Sequence, residues 1–508
     1  MHPYLLSLAT FLPLAGGLVI LLLRNEPQNS ERADSIARWT GLWTSLAVLL
    51  ITCAMWAGFD TSSPAAQYEQ KLSWLSEFGI SWHTGIDGIS LVFVLLTAAL
   101  TPLAIGAAWN TISGRVRDFI AAVLILETTL IGLFSAMDLV VFYIWYEATL
   151  IPASLMIGVW GGQNRIRASM QFFLFTFGGS LFMLVAMAAI WASTGTTDLP
   201  HLAQIHFSTN TQIWLLAAFI IAFGVKLPLF PLHASLPDAY TEAPAAGSAL
   251  LSGILSKAGG DGMLRLGVLM FPDAARIFAP WILPLGVIAI IYAAFVALAQ
   301  TDMKRLVAYS SFSHMGMIAV GLFTLTSEGI DGAIFQMLSH GIVIAGLFFS
   351  VSVVAVRAKT RQISQLGGLA SHMPMFGLLT MIFTMANVGL PGTGAFVGEV
   401  MILMGAVRVS MWLALLAGTT MIMGAVYMLV LYRRAIFGKV SSFTAALRDL
   451  SPMEMGVLLP LAIVTLWMGI HPISLTRLYS PSVAHALQQD QMVIGQENTH
   501  PAISLASR

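Results

Sequence analysis

Apolar runs of roughly 20 residues, the length a helix needs to cross hydrocarbon, follow one another along almost this entire chain. We place fourteen, near residues 3–23, 37–57, 86–108, 117–136, 139–159, 167–191, 212–231, 245–270, 279–299, 306–325, 331–356, 373–403, 410–432 and 453–471. In lipid every backbone polar group must be bonded within the protein, so such runs fold as helices or close into a barrel. No strand-like alternation competes. The expected fold is an all-α membrane protein with about 14 transmembrane helices. Composition agrees: 9% of residues are charged, against about 25% in soluble domains, and mean hydropathy is +0.83. The first run carries no small-residue cleavage pattern and reads as a retained span.

Several functions are excluded early. A net charge of zero argues against a nucleic-acid partner. The single cysteine, Cys53, cannot hold an iron–sulfur cluster or a structural zinc, which need several ligands. There is no Walker motif and no GxGxxG after a strand. No cofactor is therefore expected in this chain, and its energy comes from a partner or an ion gradient.

Orientation follows from cationic loop residues. One set of alternate loops holds sixteen: Arg24, Arg32, Arg38, Arg115, Arg117, Arg165, Arg167, Lys304, Arg305, Arg357, Lys359, Arg361, Arg433, Arg434, Lys439 and Arg448. The other set, with the C-terminus, holds Lys71, Arg265, Arg276, Arg408, Arg477 and Arg508. The first set should face the cytoplasm, with both termini outside. Of the 24 cationic residues only Lys226 and Lys257 remain, and both fall within spans.

The seventh run, "FGVKLPLFPLH", is interrupted by Pro228 and Pro231, which remove backbone donors; the twelfth, "ANVGLPGTGAFVGE", by Gly389, Pro391, Gly392 and Gly394. Each is the fourth helix of a five-helix unit if helices 4–8 and 9–13 are repeats. Five is odd, so the second unit enters from the opposite side. Inverted repeats with matched discontinuous helices point to a secondary-transport site, although prolines also simply kink membrane helices. The expected division is three N-terminal helices in 1–110, a first repeat in 111–271, a second in 272–437, and a last helix and tail in 438–508.

Ionisable residues inside a bilayer cost about 2.5–3.5 kcal/mol each on insertion scales. Glu127, Glu147, Lys226, Lys257, Asp261 and Glu399 lie within spans, with His314 and His340 in similar settings. Glu147 is some nine residues inside the fifth run, Lys226 at the break of the seventh, and Glu399 eight residues past Pro391. None has an easy route to the surface. A movable carboxylate beside an amine is a proton switch: separation favours release of the lysine proton and approach favours its retention. Arginine would not serve, because it keeps its proton. Glu147, Lys226, Lys257 and Glu399 are the leading candidates for a proton path, against the alternative of static buried pairs. His314 and His340 follow, since polar helix contacts are a common use of such residues. Glu127 could simply hydrogen-bond a neighbour. Asp261, four residues from Lys257 on one helix face, either holds Lys257 charged or faces the outer end. A haem between His314 and His340 lacks any further signature, and no two carboxylates share a helix face with a histidine for a di-metal site.

The same residues carry a resemblance. "KLPLFPLHASLPDAYTEAPAAGS" (226–248), "QTDMKRLVAYSSFSHMG" (300–316), "FQMLSHG" (335–341), "GLPGTGAFVGE" (389–399) and "YIWYEATLIP" (143–152) resemble, in order, the signatures of the antiporter-like membrane subunits of respiratory complex I. The likeness covers about residues 85–470. Within the family, Glu399 resembles the branch that ends this motif in Glu; other branches and the multisubunit cation/proton antiporters generally have Lys. The resemblance implies that Glu147 modulates Lys226, the first-half proton carrier. Lys257, His314 and His340 would bridge the midplane, and Glu399 would deliver the proton outward. It also implies that NADH, FMN, iron–sulfur clusters and quinone belong to partner membrane and peripheral subunits in a bacterial inner membrane, with antiporter-like chains as neighbours. Four positions depart from the pattern: Ser235, Tyr240, Gln171 and Asp261 stand where Trp, His, Lys and Tyr are common. Tyr240 and Gln171 put the cytoplasmic entry to Lys226 in question. The rivals are an antiporter subunit with no redox partner, the membrane anchor of a hydrogenase-type complex, and a purely structural membrane chain.

Overall fold

The computed structural model describes residues 4–22 and 30–495, so Arg24 and Arg508 of the charge tally lie outside it. Among the described residues, eleven helices are long and apolar enough to cross a membrane. Other apolar runs miss that criterion for physical reasons. Val116–Phe134 carries Arg117, Asp118 and Glu127. Segment 245–268 is divided among α-helical Ala245–Leu250 and Ser256–Gly262 and π-helical Leu251–Leu255 and Met263–Val268. The twelfth run splits into Pro374–Val388 and Gly394–Val409.

Both expected interruptions occur. The helix Thr209–Lys226 stops at Lys226, earlier than the run's end at 231, and the chain turns through Pro228 and Pro231 before the short helix Leu236–Glu242. In the second break Gly389 and Gly392 take φ of +83° and +89°, a conformation open to glycine at little cost.

Helix starts follow from local chemistry. Asp138 accepts hydrogen bonds from the amides of Val140 and Val141, and Asp302 from those of Lys304 and Arg305; each satisfies amides that a helix leaves open. The two aspartates share a second feature. Asp138 bridges to Asp198, beyond helix Arg165–Thr194, and Asp302 to Gln362, beyond helix Ser327–Ala358.

Three expectations need correction. Strands do occur: Gln67–Leu75 pairs antiparallel with Ile80–Ile86, turning at Gly79 with φ +65°. Lys304, assigned to a loop, sits in the first turn of Met303–Phe323 and is only 4% exposed. Arg265, also assigned to a loop, lies on the π-helical turn Met263–Val268, where it reaches Asp261 and Asp87.

Candidate functional site

The first-half site is built where Thr209–Lys226 ends. Segment 245–268 packs directly on that end, since a Cβ on Gly259 would stand 2.7 Å from the Leu227 amide and 2.9 Å from the Lys226 Cβ. The Lys226 side chain is 1% exposed. Its Nζ donates to the Tyr146 carbonyl and to Thr149 Oγ1, both at 3.0 Å, and lies 3.3 Å above the Tyr146 ring. The ring face attracts a cation. It is held in place by its own hydroxyl, which donates to the Ala222 carbonyl at 3.0 Å.

Glu147 is placed differently from expectation. It is half-buried, on the face of its helix that also exposes Ile144 (37%) and Ile151 (63%), three residues before and four after. The carboxylate therefore borders the side of the bundle. Its carboxylate is near enough for its charge to be felt at Lys226, and among the described residues its Oε1 has no hydrogen-bond partner.

The second cluster is contiguous. Lys257 is fully buried between the two π-helical turns, a feature that often marks functional positions in helices. Its Nζ donates to the Ser252 carbonyl at 2.6 Å and lies 3.2 Å from Ser256 Oγ and 2.8 Å from His340 Nδ1. The rings of His340 and His314 stand 5.4 Å apart, too close to admit a porphyrin between them. His314 Nδ1 is 3.1 Å from Glu399 Oε1, and Gln336 Nε2 spans both, at 3.3 Å and 3.4 Å. Lys257, His340, His314 and Glu399, each from a different helical segment, thus form one row. Its Oε2 points at the second break: a Cβ on Gly389 would lie 2.6 Å away.

The row is rich in unpartnered polar atoms, among them Nε2 of both histidines, Gln336 Oε1, Glu399 Oε2 and the Tyr427 hydroxyl. Asp261 does not hold Lys257. It accepts from Arg265 Nε at 2.8 Å, and Arg265 also reaches Asp87 at 2.5 Å and Ser90 Oγ at 2.9 Å. Glu127 is buried beside Thr101, and Gln171 Nε2 donates to the Ala234 carbonyl at 3.4 Å.

The family model described as NADH:quinone oxidoreductase/Mrp antiporter, TM, matches residues 136–424, which contain Glu147, Lys226, Lys257, His314, Gln336, His340 and Glu399. The chain belongs to that family. It is 43% identical to NADH-quinone oxidoreductase subunit M of Rhodobacter capsulatus, over 97% of this chain and 98% of that one. Against NADH-ubiquinone oxidoreductase chain 4 of Chondrus crispus it is 44% identical, over 92% and 94%. A chain of respiratory complex I from Thermus thermophilus, solved with bound NADH, superposes with a TM-score of 0.87 at 32% identity, covering 95% of this chain and 99% of that one.

Sequence reasoning missed several members of these two clusters. Gln336 was findable, since it lies four residues before His340 and so on the same helix face. Tyr146 and Thr149 bracket Glu147. Ser256 precedes Lys257 but signals nothing by itself.

Proposed function

We propose that this chain is the proton-translocating, antiporter-like membrane subunit of a respiratory NADH:quinone oxidoreductase. Its Glu147, Lys226, Lys257, His314, His340 and Glu399 would be the proton-handling residues. NADH, flavin, iron–sulfur clusters and quinone then belong to partner subunits, and this chain answers their redox work through its buried charges.

The observation that carries the reading is the Lys257–His340–His314–Glu399 row: Lys257 Nζ stands 2.8 Å from His340 Nδ1, the two imidazole rings are neighbours at 5.4 Å, and His314 Nδ1 stands 3.1 Å from Glu399 Oε1. A proton leaving Lys257 finds His340 Nδ1 in reach. Reorientation of the imidazoles passes it to Glu399, and Gln336 holds donor and acceptor in register. In the first half, a change of charge at or beside Glu147 alters how firmly Lys226 keeps its proton. Coupled in sequence, each unit shifts one proton.

Two matched features support inverted repeats at 111–271 and 272–437: the discontinuous helices, and the bridged caps Asp138–Asp198 and Asp302–Gln362. Fourteen crossings, both termini in the periplasm and the cation-rich end in the cytoplasm of a bacterium complete the topology. Glu399, where antiporter chains generally have Lys, favours the redox-linked complex over the antiporter.

The test is Lys257→Met in the assembled complex, checked by native gel, with NADH oxidation and acidification of inside-out membrane vesicles followed together. Loss of a proton-transfer group should lower both rates on the order of 100-fold. Wild-type rates in an assembled complex would refute the relay.

A further inference from the structure

The relay above leaves one buried lysine unused. Lys304 stands at the cation-rich end, and its Nζ donates to the carbonyl of Ala243, just past the short helix Leu236–Glu242. Asp302, Glu242 and Arg361 are the charged groups that act on it. Each is engaged elsewhere. Arg361 pairs with Asp302 Oδ2 at 3.1 Å and donates to the Thr241 carbonyl at 3.1 Å, while Glu242 accepts from the Asn164 amide at 3.0 Å. The lysine therefore lies just inside a charged rim rather than locked in a pair.

The Ala243 carbonyl leads inward. Ser248 Oγ lies 3.3 Å from the same oxygen, so one acceptor joins the ammonium and the hydroxyl. Ser252 and Ser256 follow at four-residue spacing, each about 6 Å further along the axis, and all three serines are buried. Ser256 Oγ is 3.2 Å from Lys257 Nζ. The Tyr240 hydroxyl faces Ser256. Ser311, seven residues past Lys304 on its helix and so on the same face, is buried as well.

We propose that Lys304 is a proton-handling residue at the inlet to Lys257, fed from the cation-rich side and emptied along Ser248, Ser252, Tyr240 and Ser256. The step balances as one proton in and one out. An N–H bond of the Lys304 ammonium breaks as its proton passes to a water between Nζ and Ser248 Oγ and so into the hydroxyl row, because the shared Ala243 carbonyl can only accept; the Lys257 amine gains a proton at the far end, and the Lys304 amine is recharged from water at the rim. This inference rests on the relay proposed above and adds its entry step.

Anchoring and proton transfer are separable, because arginine keeps the charge and can reach a carbonyl but does not release a proton. In the assembled complex in inside-out vesicles, Lys304→Arg and Lys304→Met should both lower acidification on the order of 100-fold. Ser256→Ala, which leaves Lys304 in place, should lower it several-fold and move the pH optimum downward, where a slowed inlet is better supplied. Wild-type rates in Lys304→Arg would overturn the inlet and leave Lys304 a structural cation. If neither lysine variant assembles, wild-type rates and an unmoved pH profile in Ser256→Ala would overturn it equally. Lys257→Met run alongside separates the two claims: full activity there refutes the relay itself, whereas loss there with active Lys304→Arg refutes only the inlet.

Discussion

Lys226 and Glu399 occupy matching places, each beside a broken helix, yet they are held in different ways. Lys226 is cradled by a carbonyl, a hydroxyl and an aromatic face, while Glu147 sits half-buried toward the side of the bundle. Glu399 has no exposure and touches His314 and Gln336 directly. The first site is therefore open to adjustment from outside the chain, at Glu147. The second is set from within, through the histidine row. One fold thus holds a buried lysine beside a half-buried carboxylate in one half, and a buried carboxylate joined to a histidine and an amide in the other.

The comparison breaks most sharply at His314. His314→Leu removes the link between Lys257 and Glu399, for which the first half has no equivalent, and coupled NADH oxidation and acidification should fall on the order of 100-fold. An effect no larger than that of Thr149→Val would erase the distinction between the two sites. Gly389→Ala comes next. A Cβ there meets Glu399 Oε2 at 2.6 Å with φ at +83°, so about 1–3 kcal/mol of strain should appear as faster thermal inactivation of the assembled complex. Tyr146 sharpens the first half. Tyr146→Phe keeps the ring under Lys226 and should stay near wild type, whereas Tyr146→Leu loses a desolvated cation–π contact of about 2 kcal/mol, read as reduced acidification. Smallest is Thr149→Val, which removes one hydrogen bond of about 1 kcal/mol and should slow acidification by severalfold.

The sequence displays these two regions unequally. Membrane helices are legible because lipid leaves the backbone no alternative, and both breaks announce themselves through Pro and Gly. Lys226, Lys257, His314, His340 and Glu399 stand out as polar residues in apolar runs. The hairpin at 67–86 does not, because most of its first strand is exposed on both faces, which erases the period-2 signal. The π-helical turns around Lys257 have no sequence signature in "SGILSKAGGDG". Lys304 reads as a loop cation because "TDMKR" combines a cap with two basic residues, and only tertiary packing buries it. The outward tilt of Glu147 was legible in part, since Ile144 and Ile151 share its face. A helix packed on several sides, however, does not declare which apolar stripe meets lipid.

The most direct test of the central claim is Lys226→Arg in the assembled complex, with NADH oxidation and vesicle acidification measured in the same preparation. Arginine keeps the positive charge and can stack on Tyr146, but it holds its proton. If Lys226 works by giving up a proton, both rates collapse although the charge remains. If both rates hold at wild type, the buried cation acts only as a fixed charge, and the proposed relay is wrong in its first half.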